Sequence, residues 1–287
     1  MGEYFPVHAH SEYSVLDGMG GVKDMVFTVL DHEQPGLSLT DHGNMAGGIE
    51  LYQQCQKHGL APFPGSELYI VRSFDRGKDE ETGVKWDERN DRYHLGVLVL
   101  DETGWKGLIK LSSMSHQRDH FHRKPLISIG ELLEWGETYG SHVAITTGCY
   151  FGWVIQHYLK WDRDLDRTTA LVEAMHSVFP HLFVELQSHN IVQENGVTDL
   201  QIATDLLEVA HRLGLHVVAG QDSHYCDAEE QPVHDMMKKI AYQGGSGEDS
   251  KFPGDGFHLA SDEWVKAHHE PWWDKVCEGH DHLLDLN

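Results

Sequence analysis

Seven short runs along the chain are apolar with little alternation: residues 4–8, 36–40, 60–70, 93–100, 142–146, 182–186 and 215–219. Strands wetted on one face alternate, whereas strands covered on both faces read as continuous apolar stretches. These runs therefore predict a sheet buried on both sides, with Pro62 and Pro64 interrupting the third strand. Between the runs the period changes. Val22, Met25, Val26, Val29 and Leu30 follow the spacing that lays one apolar stripe along a helix. Leu200, Ala203, Leu206, Leu207 and Ala210 repeat it, and Gly214 supplies a stop. Ile49, Tyr52 and Cys55 mark a third, weaker stripe. Strand followed by helix, repeated, implies parallel strands with helices outside. The seven runs predict a closed or nearly closed α/β barrel, without an internal sequence repeat.

Two segments break this rhythm. Residues 72–92 are dense in charge, with Phe74, Val84 and Trp86 as bulky apolar anchors, and read as a surface insertion. Residues 243–256 are glycine-rich and acidic and read as a flexible loop. The expected organisation is a barrel over 1–242, the loop over 243–256, and a tail over 257–287 whose Trp264, Trp272 and Trp273 pack back on the barrel.

Composition narrows the class. Of 287 residues, 40 % are hydrophobic and 24 % charged, enough apolar material for a large core. No apolar run approaches the ~18 residues that span a bilayer. The opening MGEYFPVHAH lacks the basic and apolar parts of a secretion signal. Cys55, Cys149, Cys226 and Cys277 are scattered, with no Cys-x-x-Cys pair, so a reducing, cytoplasmic setting and no membrane are expected. The formal charge of −24 argues against tight, non-specific binding of a nucleic-acid backbone. It leaves room for an enzyme that meets phosphate through divalent cations. Neither a P-loop nor a Gly-x-Ser-x-Gly motif is present.

The 23 histidines matter through their positions. Metal-competent residues gather where the runs end: His8 and His10, Asp41 and His42, Glu67, Cys149, Glu185, and Asp222 with His224. Active sites of α/β barrels sit at that end. In His-x-His on an extended chain both imidazoles share a face, and Asp222-x-His224 repeats the geometry. Imidazole with carboxylate suits zinc, manganese or iron. The ligands exceed what one tetrahedral ion needs, so two or three divalent ions are expected, a cluster suited to clamping a phosphate ester. His120/His122, His268/His269 and His280/His282 stand in polar or terminal segments and read as solvated. Asp17-Gly18-Met19-Gly20-Gly21 is a glycine-rich turn before a helix, with two readings: a simple tight turn, or a seat for an anion at the helix N-terminus.

Together these motifs resemble a known family. His8-Ala9-His10-Ser11-Glu12-Tyr13-Ser14-Val15-Leu16-Asp17-Gly18, then Leu39-Thr40-Asp41-His42-Gly43-Asn44-Met45, resemble the start of the bacterial DNA polymerase III alpha subunit. That start is its polymerase and histidinol phosphatase (PHP) domain. The similarity continues through Gly65-Ser66-Glu67, Tyr93-His94-Leu95, Gly148-Cys149, Glu185-Leu186-Gln187, Asp222-Ser223-His224, His234-Asp235 and Phe257-His258-Leu259. It implies a distorted seven-stranded (βα)7 TIM-like barrel that binds up to three metal ions and hydrolyses phosphoesters, including 3′–5′ exonuclease cleavage of DNA. It carries ligand roles onto His8, His10, Asp17, His42, Glu67, His94, Cys149, Asp222 and His224.

The expected nucleophile is a metal-bridging hydroxide at a centre held by His8, His10, Asp17, Glu67 and Asp222. Glu185 and Asp41 are candidates for orienting ligands, and Lys124 for contacting a substrate phosphate. The implied partners are a DNA 3′ end or a nucleotide phosphoester, and a separately encoded DNA polymerase. Rival readings are a phosphatase of a small phosphomonoester and a non-catalytic subunit docked on a polymerase. The chain ends where the family's polymerase modules begin, so no polymerase is expected here, and residues 243–256 replace a basic loop. His94 stands at the start of the fourth run, the wrong end for a barrel-top ligand.

Overall fold

A computed structural model of the chain describes residues 4–78, 82, 85–192, 196–241, 252 and 254–287. Its strands are β1 (Gly36–Leu39), β2 (Ala61–Val71), β3 (Arg76–Lys78), β4 (Lys85–Asp87), β5 (Tyr93–Val99), β6 (Phe121–His122), β7 (Lys124–Ser128), β8 (Val143–Thr146), β9 (Leu182–Leu186) and β10 (Val217–Ala219). The main sheet runs β10–β9–β8–β5–β2–β7–β6, with β1 also paired to β2. Its helices are α1 (Val22–Asp31), α2 (Gly48–His58), α3 (Glu102–Ser115), α4 (Ile129–Tyr139), α5 (Trp153–Lys160), α6 (Leu165–His176), α7 (Asp199–Leu213), α8 (Gln231–Ala241), α9 (Asp262–His269) and α10 (Trp273–Asp285). The result is an α/β fold on a curled, mostly parallel sheet.

The regular all-parallel repeat expected from the apolar runs is not what forms. β5 lies antiparallel to both β2 and β8. Residues 4–8 form no regular strand, because Pro6 has no N–H to place in a ladder. Their segment is instead held by scattered bonds on two sides. Ser38 N–H donates to Pro6 O and Thr40 N–H to Ala9 O; Ser223 N–H donates to His8 O and His10 N–H to Ser223 O. The segment thus lies between β1 and the chain that follows β10.

Conversely, β2 runs unbroken through Pro62 and Pro64. Ala61 N–H donates toward the β1 side, to Pro35 O, so alternation turns both proline nitrogens to the opposite edge. There, pairing with β5 begins only at Gly65.

The helix faces follow their stripes with one exception. α1 buries Val22, Met25, Val26 and Val29. α7 buries Ile202, Ala203, Leu206, Val209 and Ala210, and ends on Gly214 in the left-handed region. In α2 the buried face is Gly48, Leu51 and Cys55, whereas Ile49 and Tyr52 face outward. The ring of Trp105 packs where a Gly48 Cβ would stand, 2.9 Å away, so a residue with no hydrophobic signal occupies the contact.

Phe5, Val7, Phe63, Leu98, Ala144, Phe183 and Val218 pack into one apolar layer inside the curl. In β2 the layer residue precedes Glu67 by four positions; in the reversed β5 it follows His94 by four. The layer therefore floors a polar upper end. Between residues 72 and 92 the described chain forms the β3–β4 hairpin; Trp86 is exposed, and Val84 lies outside the described residues. Most of 243–256 also lies outside them. In the tail, Trp272 is buried, and Trp264 and Trp273 pack half-buried against the main core. His269 and His280 are fully buried, not solvated as read from the sequence. α9 and α10 cover the sheet, and Ala219 N–H donates to His280 Nε2. Among the described residues no helix is long and apolar enough to cross a membrane.

Candidate metal centre

The upper end of the curled sheet collects all nine expected ligands in one pocket. Glu67, fully buried in the middle of β2, is the hub. Its Oε1 lies 2.9 Å from His94 Nδ1, 3.3 Å from His8 Nε2 and 3.4 Å from Cys149 Sγ. Its Oε2 lies 2.7 Å from His42 Nδ1 and 3.7 Å from His10 Nε2. Asp222 Oδ1 lies 3.1 Å from His10 Nε2 and 3.4 Å from His8 Nε2. Asp17 Oδ2 lies 2.6 Å from His42 Nε2 and 3.7 Å from His224 Nε2. His94 reaches the cluster because β5 is reversed, so the start of this strand shares a level with the ends of its parallel neighbours. That resolves the wrong-end placement in the sequence.

Local structure sets each side chain. Asp222 holds a positive φ of 45°, a conformation that costs energy and persists where its surroundings dictate it. Asp17 lies in a turn closed by Gly18, where a Cβ would stand 2.1 Å from the Ser11 carbonyl oxygen. Neighbouring acceptors fix the imidazole tautomers. Glu185 accepts from His8 Nδ1–H at 2.8 Å. Asp41 accepts from the Ser14 hydroxyl at 2.7 Å, which leaves Ser14 Oγ to accept from His10 Nδ1–H at 3.1 Å. The Asp222 carbonyl accepts from His224 Nδ1–H at 2.5 Å. In all three rings the lone pair on Nε2 then faces the pocket.

Those lone pairs meet acceptors. His8 Nε2, His10 Nε2, His42 Nδ1, His224 Nε2, Glu67 Oε2 and Asp222 Oδ1 are all buried without a hydrogen bond. Buried polar atoms are almost always paired, and a nest of facing acceptors is satisfied by cations. Three donor groups have atoms within 4.8 Å of one another: His8/His10/Asp222, His42/Glu67/His94 and His10/His42/His224. The residues fit divalent metal, with nitrogen and oxygen donors and one thiol.

Without cations, protons fill the same role. Burial opposes charge on His8, but Glu185, Asp222 and Glu67 outweigh it and hold its pKa well above the usual value. Burial likewise opposes charge on His42, yet Glu67 and Asp17 push it up to about 10. His10 falls to about 3 through burial and through its neighbours His42 and His224. Burial would raise Glu67, but His94, His8 and His42 bring it well below the carboxylate range. Burial and the adjacent Glu67 push the Cys149 thiol far up.

The cavity above these groups measures about 310 Å³ and is also lined by Tyr69, Arg92, Lys124, Phe151 and Phe252. Lys124, on β7, lies over the Tyr69 ring at 5.1 Å. Two residues of α8 went unread as site residues: His234, whose Nε2–H donates to the Asp17 carbonyl at 2.7 Å, and Lys238, ion-paired with Asp17 Oδ1. Their spacing of four residues on one helix face was the available signal.

Fold and pocket together define an α/β protein with a histidine–carboxylate centre able to hold divalent metal. The chain belongs to the PHP domain family, whose model matches residues 6–189. It is 30 % identical to DNA polymerase III subunit alpha of Saccharopolyspora erythraea, covering 95 % of this chain and 23 % of that protein. It is also 30 % identical to the same subunit of Thermus aquaticus, covering 91 % of this chain and 20 % of that protein. The chain thus spans about a fifth of the length of these curated relatives. The crystal structure of a candidate metal-dependent phosphoesterase from Bifidobacterium adolescentis shares the fold, with a TM-score of 0.50 at 15 % identity over 93 % of this chain and 96 % of that one.

Proposed function

We propose that the protein is a metal-dependent phosphoesterase that removes nucleotides from DNA 3′ ends. The carrying observation is the set of three donor groups that share His10 and His42, their lone pairs facing one another unpaired on the pocket floor. Nine residues would hold two or three ions of zinc, manganese or iron: His8, His10, Asp17, His42, Glu67, His94, Cys149, Asp222 and His224. Such ions supply Lewis-acid polarisation of phosphoryl oxygens and lower the pKa of water. The chain's own part is positioning. Glu185 fixes the His8 ring, and Asp41 acts through Ser14 on His10. Arg92 and Lys124 at the wall attract the phosphate. Tyr69, Phe151 and Phe252 offer faces for a terminal base. In this reading residues 4–10 stand in for the first strand of a distorted seven-stranded barrel.

The kinship with polymerase alpha subunits supports work beside a DNA polymerase, although the chain spans only about a fifth of their length. The charge of −24 and the small cavity favour a second reading, a phosphatase of a small phosphomonoester. Incubation with 5′-labelled single-stranded DNA and with p-nitrophenyl phosphate, in manganese, separates the two. A ladder shortening from the 3′ end, stopped by chelator, is expected; cleavage of the monoester alone would remove the exonuclease reading.

A further inference from the structure

Asp17 is divided between neighbours of opposite kind. Its Oδ2 faces the imidazoles of His42 and His224, and its Oδ1 is ion-paired with the ammonium of Lys238. Lys238 is 5 % exposed, and the Phe252 ring lies 4.5 Å from its Nζ. One turn earlier on the same face of α8, His234 holds the Asp17 main-chain carbonyl. A single helix therefore grips Asp17 by side chain and backbone together.

This leaves the pocket electrically lopsided. At one end stand the carboxylates of Glu67, Asp222 and Glu185, whose ion pairs among the described residues are all with histidine. At the other end Asp17 Oδ2 meets His42 Nε2 and His224 Nε2; Glu67 stands on the far side of the His42 ring, against Nδ1, and the carboxylate of this corner, Asp17, is balanced by Lys238. A divalent cation entering the first end meets uncompensated negative charge. A cation entering the second meets a donor set of nearly zero net charge with a buried ammonium a few ångströms behind it. Coulomb attraction at such distances is worth orders of magnitude in affinity even when strongly screened.

We propose that Lys238 grades the pocket, making the Asp17–His42–His224 corner its weak, exchangeable cation position while the Glu67–Asp222 end holds cations tightly. This rests on the reading of the pocket as a cation-binding site.

The test is a titration of the chelator-stripped full chain with Mn²⁺, with free ion followed by electron paramagnetic resonance. The wild type is expected to show a tight class and a second class at least about tenfold weaker. Lys238→Met keeps the apolar stem and removes the charge; it is expected to tighten the weak class about tenfold or more and leave the tight class unchanged. Lys238→Arg, which keeps the charge, is expected to leave the weak class weak. Should the melting curve show that Lys238→Met is unfolded, Lys238→Gln carries the same expectation as the neutral variant. An unchanged weak class in the neutral variant overturns the proposal, as does a weakened one, which would make Lys238 a support for Asp17. A single class in the wild type overturns it too. A wild type that binds no Mn²⁺ overturns the cation-site reading itself.

Discussion

Glu67→Gln removes one charge from the hub of the centre and almost no volume. The carboxylate is fully buried, and His8, His42, His94 and Cys149 all converge on it. A cation that binds only the folded state adds about 2.7 kcal/mol of stability at a concentration 100 times its Kd. Unfolding entropy of about 2.1 cal/mol/K per residue gives a 287-residue chain ~0.6 kcal/mol/K. Manganese at that concentration should then raise the wild-type melting temperature by about 4–5 °C for each site filled. Groups that merely orient ligands are worth about 10–100-fold in affinity, so loss of a shared ligand charge should cost ~100-fold or more. At the same concentration the variant gains only ~0.4 kcal/mol, a rise under ~1 °C. Thermal unfolding by circular dichroism, with and without manganese, reads both shifts. Comparing each protein with its own metal-free form cancels any direct effect of the substitution on the fold. A Glu67→Gln shift as large as that of the wild type would refute the assignment of Glu67 as the hub.

Four further outcomes are expected. His10→Ala and Asp222→Ala should each lower phosphoester hydrolysis by about 100-fold or more with an unchanged circular dichroism spectrum, and full activity in either would contradict the site. Cation affinity should climb as pH rises through neutrality toward about 10, because protons on His8 and His42 must leave first; calorimetry in buffers of different ionisation heat counts the protons released. For the metal-free protein, the raised imidazoles stabilise fully below the ordinary histidine value of ~6.5, and this is lost as pH rises through their folded values. Glu67 and Asp222, held low, stabilise above ~4, and this is lost on acidification. Metal-free melting should therefore peak at mildly acidic pH, and a peak above pH 9 would contradict the linkage. Gly18→Ala would press a methyl against the Ser11 carbonyl oxygen, and should cost about 1–3 kcal/mol in a denaturant titration while weakening the grip on Asp17.

The amino-acid sequence carried the α/β class, because apolar runs of strand length and helical stripes such as Val22–Met25–Val26–Val29 record burial directly. It also carried most of the metal-competent side chains that gather at the strand ends, since short-range spacing like His8-x-His10 and Asp222-x-His224 fixes which side chains share a face. His94 and Asp17 were legible only through family resemblance, because neither stands in a spacing that by itself implies a ligand.

Tertiary structure decided the rest. Strand direction is one such matter: β5 reads alike forward or reversed, since burial on both faces leaves no mark of polarity, yet only its reversal puts His94 at the centre. The buried face of α2 passes through Gly48, which shows in no hydrophobic pattern and is defined by the Trp105 ring pressed against it. His269 and His280 look polar and terminal, and only the packing of α9 and α10 on the sheet makes them core. Lys238 lies 221 positions from Asp17, and no local periodicity links residues so far apart; their pairing comes from how α8 folds back across the pocket. Local pattern records which side chains leave water, while the partner each one meets is set by long-range packing.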